Sequence, residues 1–371
     1  MELLKLELLG RPLRVEGAMS GWQRLYWDHQ VVSEISASAS QEDAQHVFGL
    51  RGRVDANNGG GDGGVEEVIR CCVSLTVNWQ PFELSYHITV NDQVVEEGGR
   101  SLSDLEHSTP SEIVPEKRKV GVVGLASLGF KLLKSAKVIK VVFAGASVAA
   151  YSWLFSFQFA LALIACLVFH EYGHIRAMKY FGMKTKGIYL IPFMGGLALS
   201  DNKINTRWQD VVISIMGPSF GLFLSLAFLV VYVVTGEIFF AGLAAFNALL
   251  NLFNLLPILP LDGGHILKSI SFSMDSKVGI VLCAAGAALG VFLSYQLGLA
   301  LLGFLLLIGS VEILVEWRSR HESRLFPLDR YGQLFSITWY LVTVAGLVAV
   351  LWYFAGTGDA MLGLPLKVLQ S

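Results

Sequence analysis

Long stretches without charged side chains dominate the chain from Lys140 onward. Between Val141 and Phe169 there is no Asp, Glu, Lys, Arg or His. Only 16% of all residues are charged, against about 25% in an average soluble domain. A helix needs about 20 apolar residues to cross the hydrocarbon core of a bilayer. This stretch is too long for one crossing because the helical pattern continues to Met178, so we predict two helices that meet between residues 152 and 158.

Five further apolar stretches bring the predicted number of membrane spans to seven. They cover residues 211–235, 238–258, 278–296, 299–315 and 334–354. With seven spans and a cytoplasmic N-terminus, nearly all Lys and Arg residues near the membrane fall on the cytoplasmic side, as the positive-inside rule requires. Merging the first two spans would place a strongly basic segment outside, and we therefore favour two separate spans.

The N-terminal third has ordinary polarity and predicts a β-rich soluble domain. Residues 72–77 and 84–90 have the alternating character of half-buried strands, and Asn91-Asp92 is typical of a hairpin turn. Residues 27–34 resemble residues 90–97, which either two similar hairpins or chance would explain. A glycine-rich run at 57–64 predicts a loop.

These patterns predict a polytopic α-helical membrane protein with a small β-rich N-terminal soluble domain. The expected parts are a β-rich cytosolic domain that contains the glycine-rich loop (1–115), a basic membrane-proximal segment (116–140), a transmembrane domain (141–356) and a C-terminal tail (357–371). The basic segment suits the anionic surface of a lipid bilayer.

Charge and cysteine content exclude some classes of protein. The net charge of −2 gives no sign of a nucleic-acid partner. The four cysteines form no recognisable disulfide framework, which suits a reducing compartment for the N-terminal part. No cleavable signal peptide is expected at the start of the chain. Five histidines lack ligand spacing and are predicted to be surface residues: His29, His46, His87, His107 and His321.

The motif His170-Glu171-Tyr172-Gly173-His174 predicts a metal site. Residues four apart lie on one face of a helix, so His170 and His174 can reach one ion, and neutral imidazole is a good zinc ligand. Glu171 lies beside the pair, where a carboxylate can accept a proton from the attacking water. Ionisable groups inside a membrane are costly and usually functional. The alternative is that these groups face cytosolic water or form a hydrogen-bonded cluster between helices.

A catalytic zinc site needs a third protein ligand, and Asp262 is the candidate. Catalytic sites keep three protein ligands and one open position, so we expect one Zn²⁺ per chain. Pro257 and Pro260 interrupt the preceding helix, and irregular backbone at membrane depth is tolerated only inside protein or beside a water-filled cavity. On local sequence alone, Asp262 could instead cap the next helix. The predicted topology favours a ligand, because it brings both motifs to the same membrane face.

Three motifs together resemble the site-2 protease family of intramembrane metalloproteases. They are the HEYGH motif, Gly217-Pro218, and the run from Asn254 to Gly264 with the pattern Asn-x-x-Pro followed by Leu-Asp-Gly-Gly. The resemblance covers roughly residues 158 to 270. The chain departs from the family pattern at Leu259, where the family commonly has a second proline; here that proline is Pro260.

The resemblance implies a role for each motif residue. His170, His174 and Asp262 would be the zinc ligands, and Glu171 the general base. The family core would consist of three helices, at about 158–178, 211–235 and 238–262.

Several further residues are predicted to contact the substrate or the ligands. The segment 187–198 resembles the membrane-embedded β-hairpin of the family, and an exposed strand there could pair with an extended substrate; the alternative is an ordinary loop. Gly195, Gly196 and Asn254 are the predicted substrate-binding residues. Asn254 shares a helix face with Asn247 and Asn251, whose amides could equally be packing contacts. His265, three residues past Asp262, is predicted either to be an outer partner of that ligand or only to pack.

The expected function is zinc-dependent cleavage of membrane-anchored, single-span proteins within or next to their transmembrane segment, as in regulated intramembrane proteolysis. Two alternatives remain open at this point: an inactive zinc-binding pseudoprotease and a polytopic transporter. The N-terminal domain is expected to receive a regulatory partner or to filter substrates. The expected location is a bacterial inner membrane or an organelle membrane, with the N-terminus and the opening of the active site facing the cytoplasm.

Overall fold

The computed structural model describes most of the chain. The described residues are 1–36, 43–54, 65–79, 81–107, 136–154, 156–191, 195–200, 204–274, 276–296, 309 and 325–356. The chain divides into two compact units. The first contains Met1–Pro110 and Ser319–Phe326, and the second contains Ser111–Arg318 and Pro327–Ser371.

The first unit contains two four-stranded antiparallel sheets. The strands of the first sheet follow chain order: β1 (Glu2–Leu8), β2 (Arg11–Gly17), β3 (Gln23–Trp27) and β4 (Gln30–Ile35). Those of the second sheet do the same: β5 (Asp43–Val54), β6 (Val65–Trp79), β7 (Phe82–Val90) and β8 (Gln93–Ser101). A short helix, α1 (Leu102–His107), follows. The predicted β-rich character of this region is confirmed, whereas the predicted loop at 57–64 lies outside the described residues.

The two hairpins that resemble each other in sequence also share a turn conformation. Asp28 and His29, between β3 and β4, have φ values of 47° and 65°. Asn91 and Asp92, between β7 and β8, have φ values of 50° and 63°. Positive φ at both central residues is typical of the type I′ turn, whose twist matches that of the flanking strands. The predicted hairpin at Asn91-Asp92 is therefore present, and residues 27–34 form its counterpart in the other sheet.

Phe326, from far along the chain, completes the core of the first unit. Its ring centroid lies 5.4 Å from that of Phe82 and 6.4 Å from that of Trp79, to which it is nearly parallel. The core combines inward-facing residues of both sheets with this phenylalanine. The first unit therefore consists of two segments of the chain that are separated by the apolar stretches of the second unit.

His46 is buried, so the prediction that it is a surface residue was wrong. It lies on β5 between Ala44 and Phe48, and all three side chains point inward because alternate residues of a strand face the same side. His321 lies outside the described residues.

The described part of the second unit is helical apart from one hairpin. Its described helices are α2 (Ala136–Leu154), α3 (Phe157–Tyr180), α4 (Arg207–Thr235), α5 (Ile238–Asn254), α6 (Asp262–Met274), α7 (Ser276–Gln296) and α8 (Arg330–Ala355). The break between α2 and α3 falls inside the predicted 152–158 interval. Within the described residues, α3, α4 and α8 are long and apolar enough to cross a membrane, and α5 and part of α7 are shorter apolar helices. The count of seven spans stays a prediction, and of the span at 299–315 only residue 309 is described.

The third core helix ends earlier than predicted. We expected it to reach residue 262, but α5 ends at Asn254 and α6 begins at Asp262. Proline has no N–H and its ring clashes with the preceding helical turn, so Pro257 and Pro260 prevent the helix from continuing. Short-range turns fill the gap, such as the bond from Leu261 N–H to the Ile258 carbonyl at 2.9 Å.

A two-stranded antiparallel sheet lies between α3 and α4 in the chain. It pairs β9 (Thr185–Ile191) with β10 (Gly195–Ser200). Its position confirms the predicted hairpin at 187–198. Helix α2 holds β9 from the side: Lys140 Nζ donates to the Lys186 carbonyl and lies 4.9 Å from the centre of the Tyr189 ring.

Candidate metal centre and active site

Three side chains from two helices converge at one point in the second unit. His170 and His174 lie one turn apart on α3, and Asp262 is the first residue of α6. The Nε2 atoms of the two histidines are 3.0 Å apart. Asp262 Oδ2 lies 3.3 Å from His170 Nε2 and 3.5 Å from His174 Nε2. Ligands about 2.0–2.2 Å from a tetrahedral zinc ion are roughly 3.3–3.6 Å apart. The two distances to Asp262 lie in this range and the two Nε2 atoms are slightly closer together, so the three residues could hold one metal ion. Their nitrogen and carboxylate donors suit zinc.

Each imidazole is held by a hydrogen bond at its other ring nitrogen. His170 Nδ1 lies 2.7 Å from Asn251 Oδ1, and His174 Nδ1 lies 2.6 Å from the Ile213 carbonyl oxygen. Both partners are acceptors, so each Nδ1 carries the proton and donates it. In a neutral imidazole Nε2 is then the unprotonated nitrogen, and in both rings it points toward Asp262. Such outer contacts orient metal-binding histidines and fix their tautomer.

Glu171 lies between the candidate ligands and strand β10. Its carboxylate is buried, with Oε1 3.9 Å from His170 Nε2, and it accepts a hydrogen bond from the backbone N–H of Ala198. A Cβ atom at Gly196 would lie 2.6 Å from the Glu171 carboxyl carbon. Only glycine allows the strand to pass this close to the carboxylate.

Gly217 has a comparable role beside the histidines. A Cβ atom there would lie 2.8 Å from His170 Nε2, and nearer still to His174 Nε2. Any larger side chain at this position of α4 would occupy the space in which the ligand atoms converge. This gives a physical reason for the glycine of the Gly217-Pro218 motif.

A second buried polar cluster links α4 to the helix that carries Asp262. Asp210 on α4 accepts a hydrogen bond of 2.5 Å from Ser269 on α6, and its Oδ1 lies 3.7 Å from His265 Nδ1. Lys268 and Arg207 are also buried there and act electrostatically on Asp210. His265 thus contacts Asp210, and its predicted role as a partner of Asp262 stays a prediction.

The predicted substrate-binding residues lie at the end of α5 and at the start of β10. Asn254 is the last residue of α5 and is partly exposed. Gly195 pairs with Ile191, and Gly196 with Leu190, at the start of β10. Their predicted contacts with a substrate are not tested by these positions.

Sequence reasoning missed two contributions to the site. The Ile213 carbonyl leaves no signal in the sequence because any residue supplies a carbonyl. Asn251 did leave a signal, because its four-residue spacing from Asn247 placed both amides on one face of the helix. The sequence did not show which other helix this face contacts.

Comparison with known proteins supports the assignment of this region. Residues 158–238 and 235–293 match the model of Peptidase family M50. The Synechocystis sp. protein sll0528, a candidate zinc metalloprotease by its name, is 32% identical over 199 residues, which are 52% of this chain and 47% of that protein. Zinc metalloprotease MJ0392 of Methanocaldococcus jannaschii is 30% identical over 197 residues, or 51% and 56% of the two chains.

Stage IV sporulation protein FB of Bacillus subtilis is 27% identical over 188 residues, which are 46% of this chain and 63% of that protein. The chain thus matches less than two thirds of the length of each of these relatives. The matched family region contains His170, Glu171, His174 and Asp262. Residues 158–293 of this chain therefore match the zinc metalloprotease family M50, and they contain a His–His–Asp candidate metal site.

Proposed function

We propose that this protein is a zinc-dependent intramembrane endopeptidase that cuts membrane-anchored proteins within or next to their transmembrane segment. The observation that carries the proposal is the position of Glu171. Its carboxylate lies beside the three candidate ligands on one side and beside β10 on the other. A buried carboxylate in that position is within reach of both a water molecule and a peptide bound along the strand.

The proposed chemistry assigns proton transfer to Glu171. Zinc bound by His170, His174 and Asp262 would supply a Lewis acid that lowers the pKa of water and polarises the scissile carbonyl. Glu171 accepts the proton of the attacking water and later donates it to the leaving amine. The Ala198 N–H holds the carboxylate in place for both transfers.

Within the described residues no further strand pairs with β10, so its outer edge offers a place for an extended substrate. The Ala198 N–H bonds to Glu171, which is consistent with a position on the outer edge of the two-stranded sheet, away from β9. Backbone N–H groups alternate between the two edges of a strand, which places the Gly196 N–H on the same outer edge. A substrate added there as a third strand would present its peptide bonds beside Glu171, whereas a helical substrate would keep them in its own hydrogen bonds.

The membrane arrangement is part of the same proposal. Seven spans, a cytoplasmic N-terminus and a cytoplasmic opening of the active site follow from the distribution of Lys and Arg. We further propose single-span proteins as substrates and a regulatory partner for the first unit.

A cleavage assay with a matched pair of variants tests the proposal. Purified protein in detergent is incubated with a panel of single-span substrates, beside Glu171→Gln and Glu237→Gln, and zinc is counted in each. Glu237 is an exposed carboxylate that precedes α5. We expect about one zinc per chain in all three proteins, with cleavage by the parent and Glu237→Gln but not by Glu171→Gln.

Two results would contradict the proposal. Zinc in all three proteins with no cleavage of any substrate would indicate a pseudoprotease. Movement of a solute into liposomes that survives Glu171→Gln would indicate a transporter.

A further inference from the structure

A string of buried polar side chains leads from the centre of the helical unit to His170. It begins at Ser225 on α4, continues through Asn247 and Asn251 on α5, and ends at His170 on α3. All four residues are buried. Burying so many polar groups among apolar helices is unfavourable unless each group is hydrogen-bonded. The hydrogen bonds of this string are therefore needed for the helices to pack as they do.

The hydrogen bonds of the string can run in only one direction. Asn247 Nδ2 donates to Ser225 Oγ at 2.7 Å and to the Gly221 carbonyl at 2.8 Å. Asn251 Nδ2 donates to the Asn247 backbone carbonyl at 2.7 Å and to Asn247 Oδ1 at 3.1 Å. Each amide nitrogen thus has two acceptors for its two hydrogens. Turning the Asn251 amide over would set its oxygen against the two Asn247 oxygens, and turning the Asn247 amide over would set its oxygen against the Gly221 carbonyl. Asn251 must therefore present its oxygen to His170.

The helix packing also leaves the Asn251 amide no freedom to turn. Gly221 on α4 faces it so closely that a Cβ atom at this glycine would overlap the Asn251 side-chain oxygen and nitrogen. The amide is therefore confined by the backbone of α4 on one side and bonded to Asn247 on the other.

From these contacts we propose that Asn251 is a positioning residue that holds His170 in the metal-binding tautomer, with Asn247 fixing Asn251 in turn. An acceptor 2.7 Å from Nδ1 requires the proton on that nitrogen, which leaves Nε2 free to bind the metal. This inference deepens the proposed function and depends on the metal site it assumes.

The choice of an amide has a physical reason. A carboxylate would accept from Nδ1 equally well, but a charged group deep in a membrane protein is costly. A neutral amide also supplies the donors that tie it to Asn247. His174 needs no such side chain, because a backbone carbonyl on α4 accepts its Nδ1 proton. A side-chain substitution can therefore remove the hydrogen bond that orients His170 but not the one that orients His174.

Metal affinity measured on three Asn251 variants tests the inference. Asn251→Leu keeps the approximate size but removes the acceptor, and Asn251→Asp keeps an acceptor for Nδ1. Asn251→Ser, whose hydroxyl is too short to reach His170, serves if the leucine variant does not fold. Affinity for Zn²⁺ and Co²⁺ is measured in detergent by chelator competition, and the visible absorption of bound Co²⁺ reports the geometry of its ligands.

We expect Asn251→Leu to weaken metal binding by about 10- to 100-fold, as loss of an outer partner does elsewhere, and to alter the Co²⁺ spectrum. Asn251→Ser should lose about 10-fold. Asn251→Asp, which keeps the acceptor for Nδ1 but not the donors to Asn247, should lose less affinity than Asn251→Leu. The control is Thr343→Val on α8, which removes a buried hydroxyl that bonds to its own helix, and it should change neither quantity.

Three outcomes would overturn the inference. The first is parent-like affinity and an unchanged Co²⁺ spectrum in Asn251→Leu, or in Asn251→Ser if that variant replaces it. The second is a loss in Asn251→Asp as large as that in Asn251→Leu, which would mean that the residue only supports packing. The third is a parent that binds neither metal, which would also overturn the proposed function. A parent that binds metal but cleaves nothing would count against the protease alone, because the affinities would still decide the role of Asn251.

Discussion

His46 in the first unit and His170 in the second are both buried, but their ring nitrogens are used differently. In His46, Nδ1 lies 2.9 Å from Ser33 Oγ and Nε2 lies 3.2 Å from Gln23 Oε1. In His170, Nδ1 faces Asn251, and Nε2 faces the ligand atoms of His174 and Asp262. A buried histidine whose two nitrogens both have neutral side-chain partners is structural, whereas one that turns a nitrogen toward other ligand atoms can hold a metal.

The most direct way to break this comparison is to replace each histidine by glutamine. His170→Gln should lose more than 100-fold in zinc affinity, because outer partners alone contribute about 10- to 100-fold. His46→Gln should retain about one zinc per chain. Zinc content after dialysis against a chelator measures both, and a zinc loss shared by the two variants would show that His46 is not merely structural.

The stability of the first unit should depend on Phe326, which comes from a distant segment of the chain. Phe326→Ala removes a ring that packs on Trp79 and Phe82, and such truncations cost about 3–5 kcal/mol. Hydrogen exchange of β6 and β7 in the full chain should accelerate accordingly. Phe335→Ala, at an exposed ring of α8, is the control and should leave these strands protected. Unchanged exchange in Phe326→Ala would mean that the sheets close without this residue.

The pH dependence of the first unit should come largely from His46. Burial lowers the pKa of its imidazole to about 4, against about 6.5 in the unfolded chain. Between these values the unfolded state binds the proton and the folded state does not, so stability falls as the pH drops from 6.5 to 4. The expected loss is about 3 kcal/mol.

Hydrogen exchange of β5 to β7, corrected for intrinsic rates, should reveal this loss in the full chain. The variant His46→Gln has no titrating ring, so its exchange should depend much less on pH across the same interval. An equally steep dependence in that variant would assign the effect to other groups.

The smallest expected effect concerns an exposed histidine, His29, in the turn between β3 and β4. Its positive φ of 65° is a conformation that glycine adopts without strain. His29→Gly should therefore stabilise the first unit, by less than about 1 kcal/mol, and Asp92→Gly should act similarly in the other hairpin. Denaturant midpoints of the two variants measure the change, and a clear destabilisation by either would contradict the shared turn.

The local part of the site could be predicted from sequence, and the part that depends on helix packing could not. The four-residue spacing of His170 and His174 defines a common face on any helix, and Pro257 with Pro260 marks an interruption before Asp262. The closeness of Gly217 to the ligands and the acceptor role of the Ile213 carbonyl arise only where α4 meets α3. No local pattern encodes that crossing.

The fold shows the same division. Strand alternation and the Asn91-Asp92 turn predicted one hairpin, and the resemblance between residues 27–34 and 90–97 left the other open. His46 was misassigned because its lack of ligand spacing was taken to indicate a surface position, although it alternates with Ala44 and Phe48. The interruption of the helix before Asp262 was predicted from Pro257 and Pro260, and only the helix bounds implied by the family resemblance were too long.

The place of Phe326 in the first unit has a consequence for how the protein is made. A ribosome synthesises the eight strands first, but the aromatic residue that closes their core is added only after the chain has passed through α2 to α7. Until Phe326 has been synthesised, the core of the first unit lacks this ring. Its final consolidation would then report that most of the membrane region has already been synthesised.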